Sequence, residues 1–319
     1  MNIKLKYKLN QILMISKNLY KIVRNYSSFS IKNLNNNYLR EESIYNLYGF
    51  NSLIGRGGFG SVYEGYMIND IDKKVAIKRI DKYINENEVP ELDILHYLYN
   101  FRNNPDSRFI MNILDSLNFN GKTYIISDLY TGGDLYDRIT SLKQRKFSES
   151  SACIIMEQIF RGLLYLHKNN IVHRDIKPEN IVFRNNSYDS DIVIIDLGMS
   201  SKITGGIHNK QKFVDDRIMA SSCYISPESL NGYYNSSSDI WSAGVIMYLL
   251  LSGEHPFYDR SISSTQSNIK KGNYNIYSKK WETISDTSKN LLSKILEINP
   301  DERIDIETIL KHDWFKQKK

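Results

Sequence analysis

The chain has 319 residues, 41% of them hydrophobic and 24% charged, with a formal net charge of +6. That composition belongs to a globular protein of one large domain or two ordinary ones, and no run approaches the ~18 apolar residues of a membrane span. Two cysteines, Cys153 and Cys223, exclude a disulfide framework and an unaided four-cysteine zinc site, which points to a reduced, intracellular protein.

Residues 1–45 form a basic extension rich in Asn and Ser. Positions 1–40 hold eight Lys and Arg and no acid, so subtracting eight from +6 leaves −2 for everything after them. A near-neutral body gives no electrostatic case for nucleic acid as a partner. Leu13, Leu19, Ile22 and Val23 fall on one helical face between Asn10 and Arg24. Three readings of the extension stand: an organelle import signal, a helix on a membrane surface, or a solvated tail on a cytoplasmic protein. Asn2 excludes an N-myristoyl anchor.

Past the extension, β-type runs are predicted at 49–55, 60–67, 75–80 and 123–127. Helical periodicity takes over after 134. Ser148 is a candidate N-cap for a helix running to 169, with Ile155, Ile159, Leu163 and Leu166 on one side. The stretch 239–252 is apolar almost all round, the mark of a helix buried on every face. One final helix is predicted over 306–315, just after Arg303 and Ile304. Strands first and helices afterwards make an α+β fold in two lobes.

Gly55-Arg56-Gly57-Gly58-Phe59-Gly60 fits G-x-G-x-x-G, alone a weak signal. In dinucleotide-binding folds a helix follows that loop. Here the alternating run Ser61-Val62-Tyr63-Glu64-Gly65-Tyr66 follows, so the loop is a hairpin tip whose backbone amides can approach phosphates. A P-loop is excluded, because neither Lys-Ser nor Lys-Thr comes after the last glycine. Further along stand Val75-Ala76-Ile77-Lys78, then His173-Arg174-Asp175-Ile176-Lys177-Pro178-Glu179-Asn180, then Asp196-Leu197-Gly198 and Ser226-Pro227-Glu228. With these motifs in this order the chain resembles the eukaryotic protein kinases over residues 48–316. A finer resemblance, to calcium/calmodulin-dependent kinases and to the calcium-dependent protein kinases of plants and protists, rests on three more stretches. They are Thr131-Gly132-Gly133-Asp134-Leu135, Trp281-Glu282-Thr283-Ile284-Ser285, and Asn299-Pro300-Asp301-Glu302-Arg303-Ile304 with His312-Asp313-Trp314-Phe315.

The resemblance implies a kinase domain over 46–316: a small, mainly antiparallel β-lobe with one helix (46–128) and a larger helical lobe (129–316). It implies a monomer that uses ATP and Mg²⁺ and acts on protein substrates bearing Ser or Thr. The nucleotide would lie among Gly55, Arg56, Gly57, Gly58, Phe59, Gly60, Val62, Ala76, Ser127, Asp128 and Val182, with Asp134 near the ribose. Lys78 would meet the α- and β-phosphates and pair with Glu91; Glu88 is the other candidate, since Pro90 leaves the helix start open. Asp175 would accept the substrate hydroxyl's proton, Lys177 would reach the γ-phosphate, and Asn180 with Asp196 would hold Mg²⁺. Asp239 would bond the catalytic-loop backbone, and Arg303 would pair with Glu228. Lys177 marks Ser/Thr kinases, while Asp134 and Glu179 match positions that face Arg residues upstream of the acceptor in basophilic relatives.

Several departures accompany the match. Leu197 replaces the usual Phe with an apolar residue of similar volume. The segment Met219-Ala220-Ser221-Ser222-Cys223-Tyr224 lacks the usual Gly-Thr, and Cys223 reads as a small packing residue there. No Ser or Thr lies between His208 and Arg217, so Asp215 and Asp216 are expected to stand in for a loop phosphate against Arg174. No D-x-D-x-D-G loop occurs, so direct calcium control is not expected. Ser127 falls at the gatekeeper position, where a small side chain leaves space behind the adenine. The competing reading is a kinase-fold scaffold of little or no activity.

Overall fold

The computed structural model describes residues 40–57, 60–81, 90–206, 208–212 and 223–316. The tail helix, Gly58, Phe59, Glu88, Asp215, Asp216 and the 219–222 segment lie outside them. Among the described residues no helix is long and apolar enough to cross a membrane.

The first lobe comprises β1 (Arg40–Glu41), α1 (Ile44–Leu47), β2 (Tyr48–Gly57), β3 (Gly60–Met67), β4 (Asp70–Ile80), α2 (Pro90–Tyr99), β5 (Ile113–Phe119) and β6 (Lys122–Asp128). Its sheet runs β1-β5-β6-β4-β3-β2, antiparallel except where β1 lies parallel to β5. Alternation along the strands divides the side chains between two faces. Val75 and Ile77 of β4, with Tyr124 and Ile126 of β6, join Ile44, Tyr48 and Leu117 in an outer core. Ile80 and Ile125 join the opposite core, which also holds Leu92, Leu95 and Leu98 of α2. Lys78 has the parity of Ile80, so the pleat that buries β4 also turns its lysine toward α2. Ile44 is fully buried, so this lobe takes in chain ahead of residue 46. Strand β5 was not legible in the sequence, because Asp115, Ser116 and Asn118 interrupt its apolar pattern and its register shifts between Ile113 and Asp115.

The second lobe is built on two helices, α4 (Glu149–Lys168) and α6 (Ser236–Ser252), with α3 (Leu135–Ser141) and α5 (Pro227–Leu230) beside them. The Ser148 hydroxyl accepts the Ser151 N–H at 3.1 Å, and Ile155, Ile159, Leu163 and Leu166 are all buried. In α6 every residue except Ser242 is buried. Gly244 permits the contact with α8 (Asp286–Ile295), since a Cβ there would lie 2.4 Å from Ile295 Cγ2. Short strand pairs carry the loops between helices: β7 (Ile171–Val172) with β10 (Ser201–Lys202), β8 (Ile181–Phe183) with β9 (Ile192–Ile194), and β11 (Gln211–Lys212) with β12 (Tyr233–Tyr234). The helix α7 (Ile262–Lys271) flanks α5.

The single final helix expected over 306–315 is two, α9 (Ile306–Leu310) and α10 (Asp313–Lys316). The Lys311 N–H turns back on Thr308 and Ile309, and His312 Nδ1 accepts the Trp314 N–H at 3.3 Å. The break lets Trp314 and Phe315 both enter the core. Trp314 Nε1 then donates to Glu149 at 2.8 Å, which ties the chain's last helix to the start of α4.

Arg303 and Glu228 form the buried ion pair of this lobe, with Nη1–Oε1 2.8 Å and Nη2–Oε2 3.0 Å; Nη1 also donates to Ser237 O. Burial pushes the Glu228 carboxyl up, but the hydrogen bond and charge of Arg303 reverse this and hold it below its ordinary value of 4.5. Such a group stabilises the fold above its unfolded pKa and loses that contribution as pH falls through the folded one. Removing one partner of a buried pair costs about 3–5 kcal/mol. Arg303→Ala is therefore expected to lower stability by that order at neutral pH and to weaken the loss of stability below about pH 4.5. Denaturant unfolding followed across that pH range measures both effects.

Candidate active site

The glycine hairpin joins β2 to β3, with Gly57 paired to Gly60 and Gly55 to Val62. Gly60 has φ +155°, and a Cβ on it would lie 1.9 Å from Arg79 O, so no other residue fits. Val62 sits opposite Lys78, and Ala76 opposite Ser127, in the ladders on either side of β4. Ser127 also faces Ile113 of β5 and is buried, 7% exposed. Asp128 ends β6 and accepts the Asn112 amide at 3.3 Å.

Lys78 Nζ lies 2.7 Å from both carboxylate oxygens of Glu91 and 2.8 Å from Asp196 Oδ1. Glu91 opens the buried face of α2, in its first turn. Burial alone would drive the Lys78 proton off, but the Glu91 and Asp196 charges overcome it and raise its pKa well above the ordinary lysine value. The lysine is a fixed positive charge. Asp196 is correspondingly held below the usual carboxylate range, the Lys78 charge outweighing desolvation. Its backbone is left-handed, with φ +63°, a conformation Asp tolerates better than most residues.

A second cluster lies near enough to the first for the Lys177 charge to act on Asp196. Asp175 Oδ2 accepts Lys177 Nζ at 2.6 Å and Asn180 Nδ2 at 2.9 Å. The Asn180 amide N–H₂ also donates to Asp175 O at 2.8 Å, so its carbonyl oxygen is left for another partner. Asn180 stands just before β8 and Asp196 just after β9, and Ile195 N donates to Asn180 O at 2.9 Å. That hairpin brings an amide oxygen and a carboxylate to one end. Two hard oxygen donors with room for phosphate and water suit Mg²⁺, which keeps several non-protein ligands. Val182, half-buried between buried Ile181 and Phe183, forms a bridge with Asp134.

The catalytic loop hangs on one buried carboxylate. Asp239, 1% exposed in the first turn of α6, accepts the His173 N–H at 2.9 Å and the Arg174 N–H at 2.8 Å. Burial pushes its pKa up, yet the His167 bond, the His167 and His173 rings and the His173 N–H hold it below its ordinary value. Arg174 is itself left-handed, φ +69°, and its guanidinium lies over the Tyr234 ring at 4.4 Å.

Two features escaped the sequence reading. His167 binds Asp239 Oδ2 at 2.9 Å; its signal was a polar residue four after Leu163 on the buried stripe of α4. Asp134 caps α3, accepting the Asp137 N–H at 2.7 Å, a role readable from its place ahead of Leu135. Glu179 lies at the cleft rim; partial desolvation and the Asp134 and Asp175 charges raise its carboxyl above the ordinary value, against the pull of Lys177. Leu197 is fully buried beneath Asp196, and Cys223 is buried at the edge of the core.

A family model described as protein kinase domain matches residues 48–315. Calcium-dependent protein kinase 3 of Plasmodium yoelii yoelii is 37% identical over 278 residues, 87% of this chain and 49% of that protein. Calcium-dependent protein kinase 5 of Plasmodium falciparum (isolate 3D7) is 37% identical over 264 residues, 83% of this chain and 44% of its own. Calcium/calmodulin-dependent protein kinase type 1 of Caenorhabditis briggsae is 32% identical over 278 residues, 85% of this chain and 73% of its own. The chain thus spans about half the length of the two calcium-dependent relatives.

Asp239→Ala would orphan the backbone donors of His173 and Arg174, at about 1–3 kcal/mol for each buried group. The expected result is a lower unfolding midpoint together with faster hydrogen exchange at those two amides, read by mass spectrometry. Unchanged exchange there would show that the loop is held by other contacts.

Proposed function

This chain belongs to the protein kinase family, and on that premise we propose that it is a serine/threonine kinase transferring the γ-phosphoryl group of ATP to protein substrates. The observation that carries the proposal is a pair of clusters joined through the β8–β9 hairpin: Lys78 with Glu91 and Asp196, and Asp175 with Lys177 and Asn180. Phosphoryl transfer needs charge neutralisation and in-line positioning more than covalent chemistry. Lys78, held protonated, supplies the fixed charge for the α- and β-phosphates. Asp175 takes the acceptor hydroxyl's proton on a carboxylate oriented by two donors. Lys177, 2.6 Å from that carboxylate, would meet charge developing on the transferred group. Mg²⁺, held by the Asn180 amide oxygen and Asp196, would neutralise phosphate charge when bound. Asp134 and Glu179 at the cleft rim support a preference for substrates with Arg ahead of the acceptor.

Transfer of labelled phosphate to an Arg-containing serine peptide tests this reading. Asp175→Asn is expected to lower the rate by about 10²- to 10⁴-fold. Equal traces from both proteins would instead favour the scaffold reading. Ser127 tests the nucleotide pocket separately. If the small side chain leaves space behind the adenine, purine analogues with a bulky aromatic group inhibit the wild type. Ser127→Met is then expected to weaken them by about tenfold or more, or 1.4 kcal/mol at least, through lost burial and added clash. Inhibition measured at matched ATP saturation decides; equal potency against both proteins contradicts the open pocket.

A further inference from the structure

A cavity of about 390 Å³ lies outside the cleft, where the C-terminal half of α2, the loop after it, the end of β6 and the chain after β8 meet. None of Lys78, Asp175, Asn180, Val182 or Asp196 lines it. Its wall carries three guanidinium groups, Arg102, Arg108 and Arg184, and a single carboxylate, Asp128. Among the described residues neither Arg102 nor Arg184 forms an ion pair, and Arg108 has only a long contact with Asp191, 3.9 Å.

Arg102 and Arg184 are held in place by contacts that leave their charge unmatched, and Arg108 keeps only the long contact with Asp191. Arg102 stacks on the Tyr99 ring at 4.0 Å, Arg108 on Phe109 at 4.7 Å, and Arg184 lies over Tyr130 at 5.6 Å. Stacking uses the flat face of a guanidinium and leaves its edge donors available. Arg184 Nη2 also donates to the backbone oxygen of Arg108, which draws the two together across the lobes. The loop beneath is fixed in turn, since Ser107 Oγ donates to Arg102 O at 2.9 Å. Three positive groups around one partly enclosed space repel each other unless an anion joins them.

We propose that this cavity is a binding site for a phosphate monoester. Three guanidiniums against Asp128 leave about +2 on the wall, and about +1 once Asp191 beside Arg108 is counted, an excess that one phosphoryl group of about −1.5 to −2 offsets. Guanidinium edges also fit phosphate oxygens in pairs, a geometry that ammonium groups do not offer. The volume lies within the roughly 300–1,000 Å³ of small-ligand sites. A phosphoryl group seated there joins the loop after α2 to Arg184 of the other lobe, and so bears on the helix that carries Glu91. The ester can come from a small metabolite or from a phosphorylated side chain, and the chemistry at the arginines is the same.

Titration calorimetry of the full chain with O-phosphoserine, without Mg²⁺, tests the site on the wild type, Arg102→Gln, Arg184→Gln and Lys78→Met. Saturable binding is expected to survive in Lys78→Met, which lacks the cleft's phosphate-facing charge. It is expected to weaken by about tenfold or more in Arg102→Gln, the loss of a charged hydrogen-bonded partner. Arg102 is exposed and pairs with no acid, so that variant folds even if Arg184→Gln does not. No saturable binding, binding undiminished by Arg102→Gln, or binding lost with Lys78→Met overturns the proposal. A serine-phosphorylated peptide that binds more tightly than O-phosphoserine assigns the site to a protein side chain; equal or weaker binding assigns it to a small metabolite.

Discussion

The Asp239 carboxylate is the contact on which the functional half of this molecule is suspended. It sits at the start of a helix buried on nearly every face, so its position is set by packing rather than by solvent. From there it holds two consecutive backbone N–H groups, one of them on a residue with left-handed geometry. Such a conformation costs about 1–3 kcal/mol and persists only where surrounding contacts impose it. The loop that presents Asp175 is therefore held by the core of the larger lobe. His167 completes the arrangement, taking up the same carboxylate oxygen as the His173 amide.

The smaller lobe reaches its half of the site by a different route. Strand alternation puts Val75 and Ile77 into one core and leaves Lys78 on the opposite face with Ile80. Helix α2 packs on that face through Leu92, Leu95 and Leu98, and its first turn delivers Glu91 beside the lysine. An ion pair of this kind is expensive to bury and weak evidence of stability. Here it links a strand, a helix and, through Asp196, the other lobe, so any displacement of α2 separates Lys78 from Glu91. Position, more than stability, is what the pair supplies.

The same lobes meet a second time behind the site, at the stacked arginines. The two junctions differ in charge balance. At Lys78 two carboxylates meet one cation, whereas three cations and one carboxylate line the rear cavity. Each imbalance sits between elements that belong to different lobes, where a bound group of opposite sign acts on both.

The sequence alone determined the family, the hairpin and the capped helices, because these rest on short-range physics. A glycine loop followed by alternation reads as a hairpin, Ser148 caps the helix that follows it, and the ordered motifs around Gly55, Lys78, Asp175, Asp196 and Glu228 carried the resemblance to the kinases. It did not disclose β5, whose polar residues and register shift hide its period, nor the break at Lys311, which exists so that Trp314 can reach Glu149. It offered Glu91 and Glu88 as partners for Lys78, and the fold brings Glu91 to the lysine. Tertiary structure alone decided that His167, 72 residues before Asp239, would share that carboxylate with the His173 loop, and that Arg102, Arg108 and Arg184 would converge. Capping, alternation and turn geometry act over a few residues and leave a mark in the order of amino acids. Contacts between distant segments depend on how whole helices and sheets pack, and no local pattern records them.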